Sequence, residues 1–150
     1  MSQTLVKNLL HIIFSTKNRL PLITPDMEPQ LFKYMTGIVR NLDCDLLTIN
    51  GTADHVHLLI NLSKNIALAT FMENLKKDSS KQIKTQSPAF HSFYWQEGYG
   101  AFSVGESQAP AVKKYIANQK SHHQRKSFQD EFRAFLKKYD VPYDERYVWT

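Results

Sequence analysis

The chain has 150 residues and a mass of 17.4 kDa, room for one domain with its own core and too little for two. Its 42% hydrophobic and 22% charged residues match an ordinary folded domain, which excludes a low-complexity or disordered chain. Nineteen Lys and Arg against fourteen Asp and Glu leave a formal charge of +5 and favour a polyanionic partner, while no run nears the roughly 20 apolar residues of a membrane span.

The segment Met1 to Lys7 has no signal-peptide apolar core, so a cytoplasmic location without membrane contact is expected. Cys44 is the sole cysteine. An internal disulfide and a cysteine zinc cluster are therefore excluded, and any metal must be held by His, Gln, Asn or carboxylate.

Leu5 to Ser15 reads as a strand, with Leu9, His11 and Ile13 on one face and Leu10, Ile12 and Phe14 on the other. A proline-punctuated loop follows from Lys17 to Pro25, and Asp26 is placed to cap a helix whose apolar positions are Leu31, Tyr34 or Met35, Ile38 and Leu42. Leu46 to Asn50 is a short strand, residues 51–54 a turn, and His55 to Asn61 a returning strand. A second helix is predicted over about Asn65 to Asp78, with Leu68, Phe71 or Met72 and Leu75 inward and Lys76, Lys77, Lys81 and Lys84 at its solvent end and beyond. Ser79 to Pro88 is polar and reads as a loop. Phe93 to Gln96 and Ala101 to Val104 look like short strands around the turn at residues 97–100.

From Ala109 to about Ser121 the pattern is helical, with Pro110 in the first turn and Val112 and Ile116 on one face. Ser127 and Asp130 resemble a capping box ahead of a last helix striped by Phe128, Phe132, Phe135 and Leu136. The aromatic tail from Pro142 to Trp149 is expected to pack down. Together these elements describe an α+β domain, 1–150, whose mainly antiparallel sheet is covered by helices on one side.

Chemistry concentrates at two places. Residues i and i+2 of a strand share a face, so His55 and His57 set two imidazoles side by side, a pair suited to Mg, Mn, Zn or Fe once one or two further ligands join. Asp54 either orients an imidazole or belongs to the turn. Tyr115 and Gln119, four residues apart on one helix, reach toward one spot, where the tyrosine hydroxyl is a nucleophile and the glutamine amide oxygen a third ligand. On periodicity alone Tyr115 equally flanks the Val112 and Ile116 stripe. Lys113, Lys114, Lys120, Arg125 and Lys126 supply a basic surface for phosphates or simply a solvated face. His11 reads as a buried, hydrogen-bonded histidine; His122 and His123 contact DNA, position the site or mark the helix end.

The ordered set His11 to Arg19, Asp54 to Leu59, Trp95 to Tyr99, Tyr115 to Gln119 with His122 and His123, and Phe128 to Phe132 resembles the single-tyrosine transposases of the IS200-like (IS200/IS605) family, within the histidine-hydrophobic-histidine endonucleases. That resemblance implies a ferredoxin-like, RRM-like palm with a C-terminal helix carrying the catalytic tyrosine. It implies Tyr115 as nucleophile and His55, His57 and Gln119 as holders of a divalent metal, Mg or Mn. It further implies a 5′-phosphotyrosine link to single-stranded DNA with hairpin ends, and a homodimer whose tyrosine helix can complete the partner's site. No nucleotide cofactor is expected, because the covalent link conserves the bond energy. A water-using phosphoesterase and a non-catalytic or domesticated hairpin-binding protein are the competing readings.

Overall fold

Alternation along the first strand decides the layers of the molecule. The computed structural model describes residues 2–150. Strand β1 (Leu9–Ser15) turns Ile12 and Phe14 to one side and Leu9, His11 and Ile13 to the other, all of them buried. A strand buried on both faces belongs inside a sheet. Accordingly β1 pairs antiparallel with β3 (His55–Asn61) and β4 (Gly100–Ser103), while β2 (Asp45–Gly51) pairs with β3. The order β2-β3-β1-β4, with α1 (Glu28–Asn41) between β1 and β2 and α2 (Leu68–Lys84) between β3 and β4, is the ferredoxin-like arrangement.

The expected one-sided cover holds for the first two helices only. Leu31 and Met35 of α1, with Phe71, Met72 and Leu75 of α2, pack in one core with Ile12, Phe14, Val56, Leu58 and Ile60. The opposite face is also apolar, and it is covered by α3 (Ala109–Ala117), α4 (Gln119–His122) and α5 (Phe128–Lys138). Ile116 packs on Leu9 and Leu59, and Phe128, Phe132 and Leu136 pack on Ile13 and Phe102.

Several boundaries depart from the sequence reading, each for a local reason. Leu5 and Val6 are exposed and β1 starts only at Leu9. Asp26 does not cap α1; the Met27 amide donates to the Thr24 hydroxyl at 3.2 Å instead, and Pro29 occupies the first turn. Helix α2 runs past Asp78 because its inward stripe continues through Ser79 and Ile83, Ser79 being small enough to lie in the core and accept the Trp95 indole N–H at 3.0 Å. Lys76 is not a solvent-end residue. Its ammonium donates to the carbonyls of Gln96, Glu97 and Gly98 at 2.9, 2.9 and 2.6 Å, and burial, opposed by Glu97, draws its pKa down to about 8. Phe93 to Gln96 forms a single bridge from Trp95 to Thr16 and no full strand. The tail packs as expected through Val148 and Trp149, held by the Arg133–Glu145 pair at 2.7 Å, while Tyr143 and Tyr147 stay exposed. Among the described residues no helix is long and apolar enough to cross a membrane.

Candidate metal centre and tyrosine site

Strand β3 carries His55 and His57 on the sheet face covered by the C-terminal helices, both fully buried. Each ring is fixed through Nδ1. His57 Nδ1 lies 2.8 Å from His11 Nε2 on the neighbouring strand, where Ile13 pairs with His57. His55 Nδ1 lies 2.7 Å from Asp54 Oδ1 and 2.9 Å from the Thr52 hydroxyl, within a turn where a Cβ at Gly51 would strike the His55 carbonyl. Both Nε2 atoms are thereby turned into one space.

A carboxylate meets them there. Glu131 Oε1 stands 2.9 Å from His57 Nε2 and 3.5 Å from His55 Nε2, and His123 Nε2 lies 3.0 Å from both His55 Nε2 and that oxygen. One ligand atom from each of His55, His57, His123 and Glu131 falls within 4.8 Å of all the others. Imidazole nitrogens and a carboxylate oxygen converging from rings held at their other nitrogen form a donor set that fits a divalent cation. The sequence assigns Glu131 no role and leaves His123 among DNA contact, positioning of the site and the end of a helix. A signal was present: Glu131 sits on the buried face of α5 with Phe128, Phe132 and Leu136, and an acid inside an apolar stripe needs partners.

The tyrosine arrives from the opposite direction. Asn50 of β2 donates from Nδ2 to the carbonyls of Ile116 and Ala117 at 3.0 and 3.1 Å, tying the end of α3 to the sheet. The helix predicted through Ser121 is interrupted at Asn118, where φ is −97° and ψ 16°, and α4 resumes at Gln119. Tyr115 and Gln119 nevertheless meet at one atom. The Tyr115 hydroxyl donates to Glu131 Oε2, and Gln119 Nε2 donates to the same oxygen at 3.1 Å. Gln119 Oε1 lies 3.4 Å from His55 Nε2, and His122 stacks on the Tyr115 ring with centroids 4.7 Å apart.

Burial and pairing set the charges. Burial holds His11 and His57 down to about 3 and about 4, so both are neutral and suited to accept or ligate. Burial also lowers His55, but the Asp54 and Glu131 carboxylates outweigh it and raise the ring above its ordinary value. Glu131 is raised by burial and then driven well below the carboxylate range by hydrogen bonds from His123, His55 and His57. Burial and the adjacent Glu131 push the Tyr115 phenol up, so it stays protonated at rest.

Lys113, Lys114, Arg125 and Lys126 are exposed around this site. Lys120 already reaches Glu28 Oε1 at 2.8 Å and Asn50 Oδ1 at 2.9 Å, a tie between α4, α1 and β2. A cavity of about 600 Å³ reaches Tyr115 and Glu131 from the side of α3, α5 and the end of β4.

The sequence profile of the family described as "Transposase IS200 like" matches residues 4–119. The ISDra2 transposase TnpA of Deinococcus radiodurans is 24% identical over 114 residues, covering 73% of this chain and 81% of the relative. Two solved structures share the fold. A crystal structure of a candidate transposase from Deinococcus radiodurans superposes with a TM-score of 0.61 at 22% identity, covering 79% of this chain and 96% of the other. A REP-associated tyrosine transposase bound to a REP hairpin superposes with a TM-score of 0.62 at 13% identity, covering 82% and 74%.

Proposed function

We propose that this chain, which belongs to the IS200-like transposase family, acts as one domain in the cytoplasm to cut single-stranded DNA and transfer the cut strand through a covalent bond to Tyr115. The observation that carries this reading is the shared carboxylate: Glu131 faces the histidines with Oε1 and the Tyr115 hydroxyl with Oε2. A metal site and a nucleophile are thereby joined by one side chain.

His55, His57 and Glu131 would hold Mg or Mn, with His123 and Gln119 beside them. A divalent cation bound there supplies positive charge to phosphate oxygens. Tyr115 attacks phosphorus, its proton passing to Glu131 Oε2. A Tyr–O–P bond forms, the P–O3′ bond breaks, and the departing 3′ oxygen takes up a proton from solvent. Attack by another 3′-OH reverses these steps, joins the new strand and returns the proton to Tyr115. Asp54 and His11 orient the two rings, and Asn50 and His122 position the tyrosine.

A hairpin-bearing single strand is the proposed partner, supported by the family and by the hairpin bound to the structurally similar REP-associated transposase. Lys113, Lys114, Arg125 and Lys126 are proposed phosphate contacts, with Lys120 contributing only if it leaves Glu28. A homodimer is proposed from the family resemblance. The contact of Tyr115 with Glu131 of the same chain supports catalysis in cis within each protomer.

The test is one labelled oligonucleotide carrying the DNA that flanks the gene. Native protein with Mg or Mn should yield a protein-linked strand on a denaturing gel, and Tyr115→Phe should yield none while keeping metal affinity within about threefold. Cleavage that survives Tyr115→Phe would replace this reading with a water-using phosphoesterase.

A further inference from the structure

His55, His57, Glu131 and Gln119 are buried and His123 is only partly exposed, so a strand that reaches Tyr115 approaches from the side where its half-buried ring meets solvent. That side is the cavity of about 600 Å³, well within the roughly 300–1,000 Å³ of small-ligand pockets. Its walls are Val112 of α3, Phe135 of α5, Tyr139 at the C-terminal end of that helix and Val104 just after β4. Tyr115 and Glu131 stand at its inner end, and the exposed Lys126 and Lys138 flank it.

We propose that this cavity takes an unpaired nucleobase of the strand being cut, next to the scissile phosphate. The proposal rests on the strand-transfer reading above and adds a binding site to it. The distribution of charge argues for a base between the apolar walls, the scissile phosphate at Tyr115 and the flanking phosphates outside. Apolar and aromatic walls suit a π-face, and between Val104, Val112, Phe135 and Tyr139 they offer a phosphate no cation. The two lysines instead lie where the sugar-phosphate chain would run past the mouth. Ser103 and Gln108 add a hydroxyl and an amide for the base edge. A base seated here holds the backbone against Tyr115, which is the orientation an in-line attack needs.

Lys126, Phe135, Lys138 and Tyr139 lie beyond residue 119, where the family match ends, so one wall of this pocket comes from the C-terminal segment of this chain while Ser103 and Gln108 lie within the match.

The experiment scans the flanking-sequence oligonucleotide with one abasic residue at each position in turn, at fixed salt and in chelator so that no strand is cut. Binding of native protein, Ala111→Trp and Ala134→Trp is read by fluorescence anisotropy. Both alanines are exposed and line the cavity from opposite walls, so either tryptophan fills it without entering the core. The expected result is one or two adjacent positions at which base removal weakens native binding about 5- to 100-fold. Either tryptophan variant should bind the intact strand as weakly as native protein binds the abasic one, lose the abasic sensitivity, and keep Mn affinity within twofold by calorimetry. Native protein that is indifferent to base removal everywhere, that fails to bind the strand, or that binds no better than both variants would overturn the pocket. Adduct formation with Mn on the intact oligonucleotide is scored separately. An adduct without abasic sensitivity overturns the pocket alone, and abasic sensitivity without an adduct overturns the strand-transfer reading alone.

Discussion

Glu131 divides its two oxygens between the halves of the site, one toward three imidazoles and one toward Tyr115 and Gln119. Its removal should therefore damage the metal site more than removal of Gln119, whose oxygen stands 3.4 Å from His55. By calorimetry with Mn, Glu131→Gln should weaken binding by at least about 100-fold, and Asp54→Asn or His11→Gln by about 10- to 100-fold through loss of ring orientation. Gln119→Ala should cost less than Glu131→Gln; the reverse order would restore the glutamine as principal third ligand. The same residues fix a pH dependence. His11 and His57 have folded pKa values near 3 and 4 against an ordinary 6.5, so between these limits the unfolded chain binds more protons. Stability of the metal-free protein should fall as pH drops below about 6.5. The raised His55 runs the other way, contributing below 6.5 and losing its contribution as pH rises through its folded value, and it offsets part of the effect. Urea midpoints in EDTA at pH 7.5 and pH 5 measure the balance, and His11→Gln should flatten the slope.

At the scale of elements, the site depends on two short helices meeting a strand. The break at Asn118 lets α3 present Tyr115 while α4 turns Gln119 and His122 inward, and Ser127 then starts α5 by accepting the Asp130 amide at 3.1 Å. That cap was legible in the sequence, because Ser with Asp three residues on is a local signal. The break at Asn118 was not, since the heptad-like spacing of Val112, Ile116 and Gln119 runs through it. Helix α2 outruns its sequence pattern for the converse reason: Ser79 looks like a terminator until Trp95, sixteen residues on, gives its hydroxyl a partner. Lys76 ties that helix to residues 96–98 through three hydrogen bonds. Lys76→Met would leave three carbonyls without their donor and should cost about 2 kcal/mol, read as a lower urea midpoint at unchanged slope.

For the whole molecule, the sheet is a partition. One face builds a core with α1 and α2, and the other carries His11, His55 and His57 under α3 to α5. Because Tyr115 and the cluster meet within one chain, mixing His55→Ala with Tyr115→Phe protein should restore no adduct. Recovery to about a quarter of native yield or more would mean that subunits exchange tyrosine helices. The mixture is read on the same denaturing gel, with the oligomeric state checked by light scattering.

The sequence by itself determined the succession of strands and helices, the shared face of His55 and His57, and the convergence of Tyr115 with Gln119, because each follows from a spacing of two, three or four residues along one element, whereas the ferredoxin-like order of the strands in the sheet came from the family resemblance and the tertiary pairing. Tertiary structure alone decided that Glu131 joins the two groups, that His123 enters the cluster, that His11 fixes His57, and that helices cover both faces. Those contacts span up to 74 residues and depend on how α5 lies across the sheet, a matter of packing between elements to which no local period corresponds.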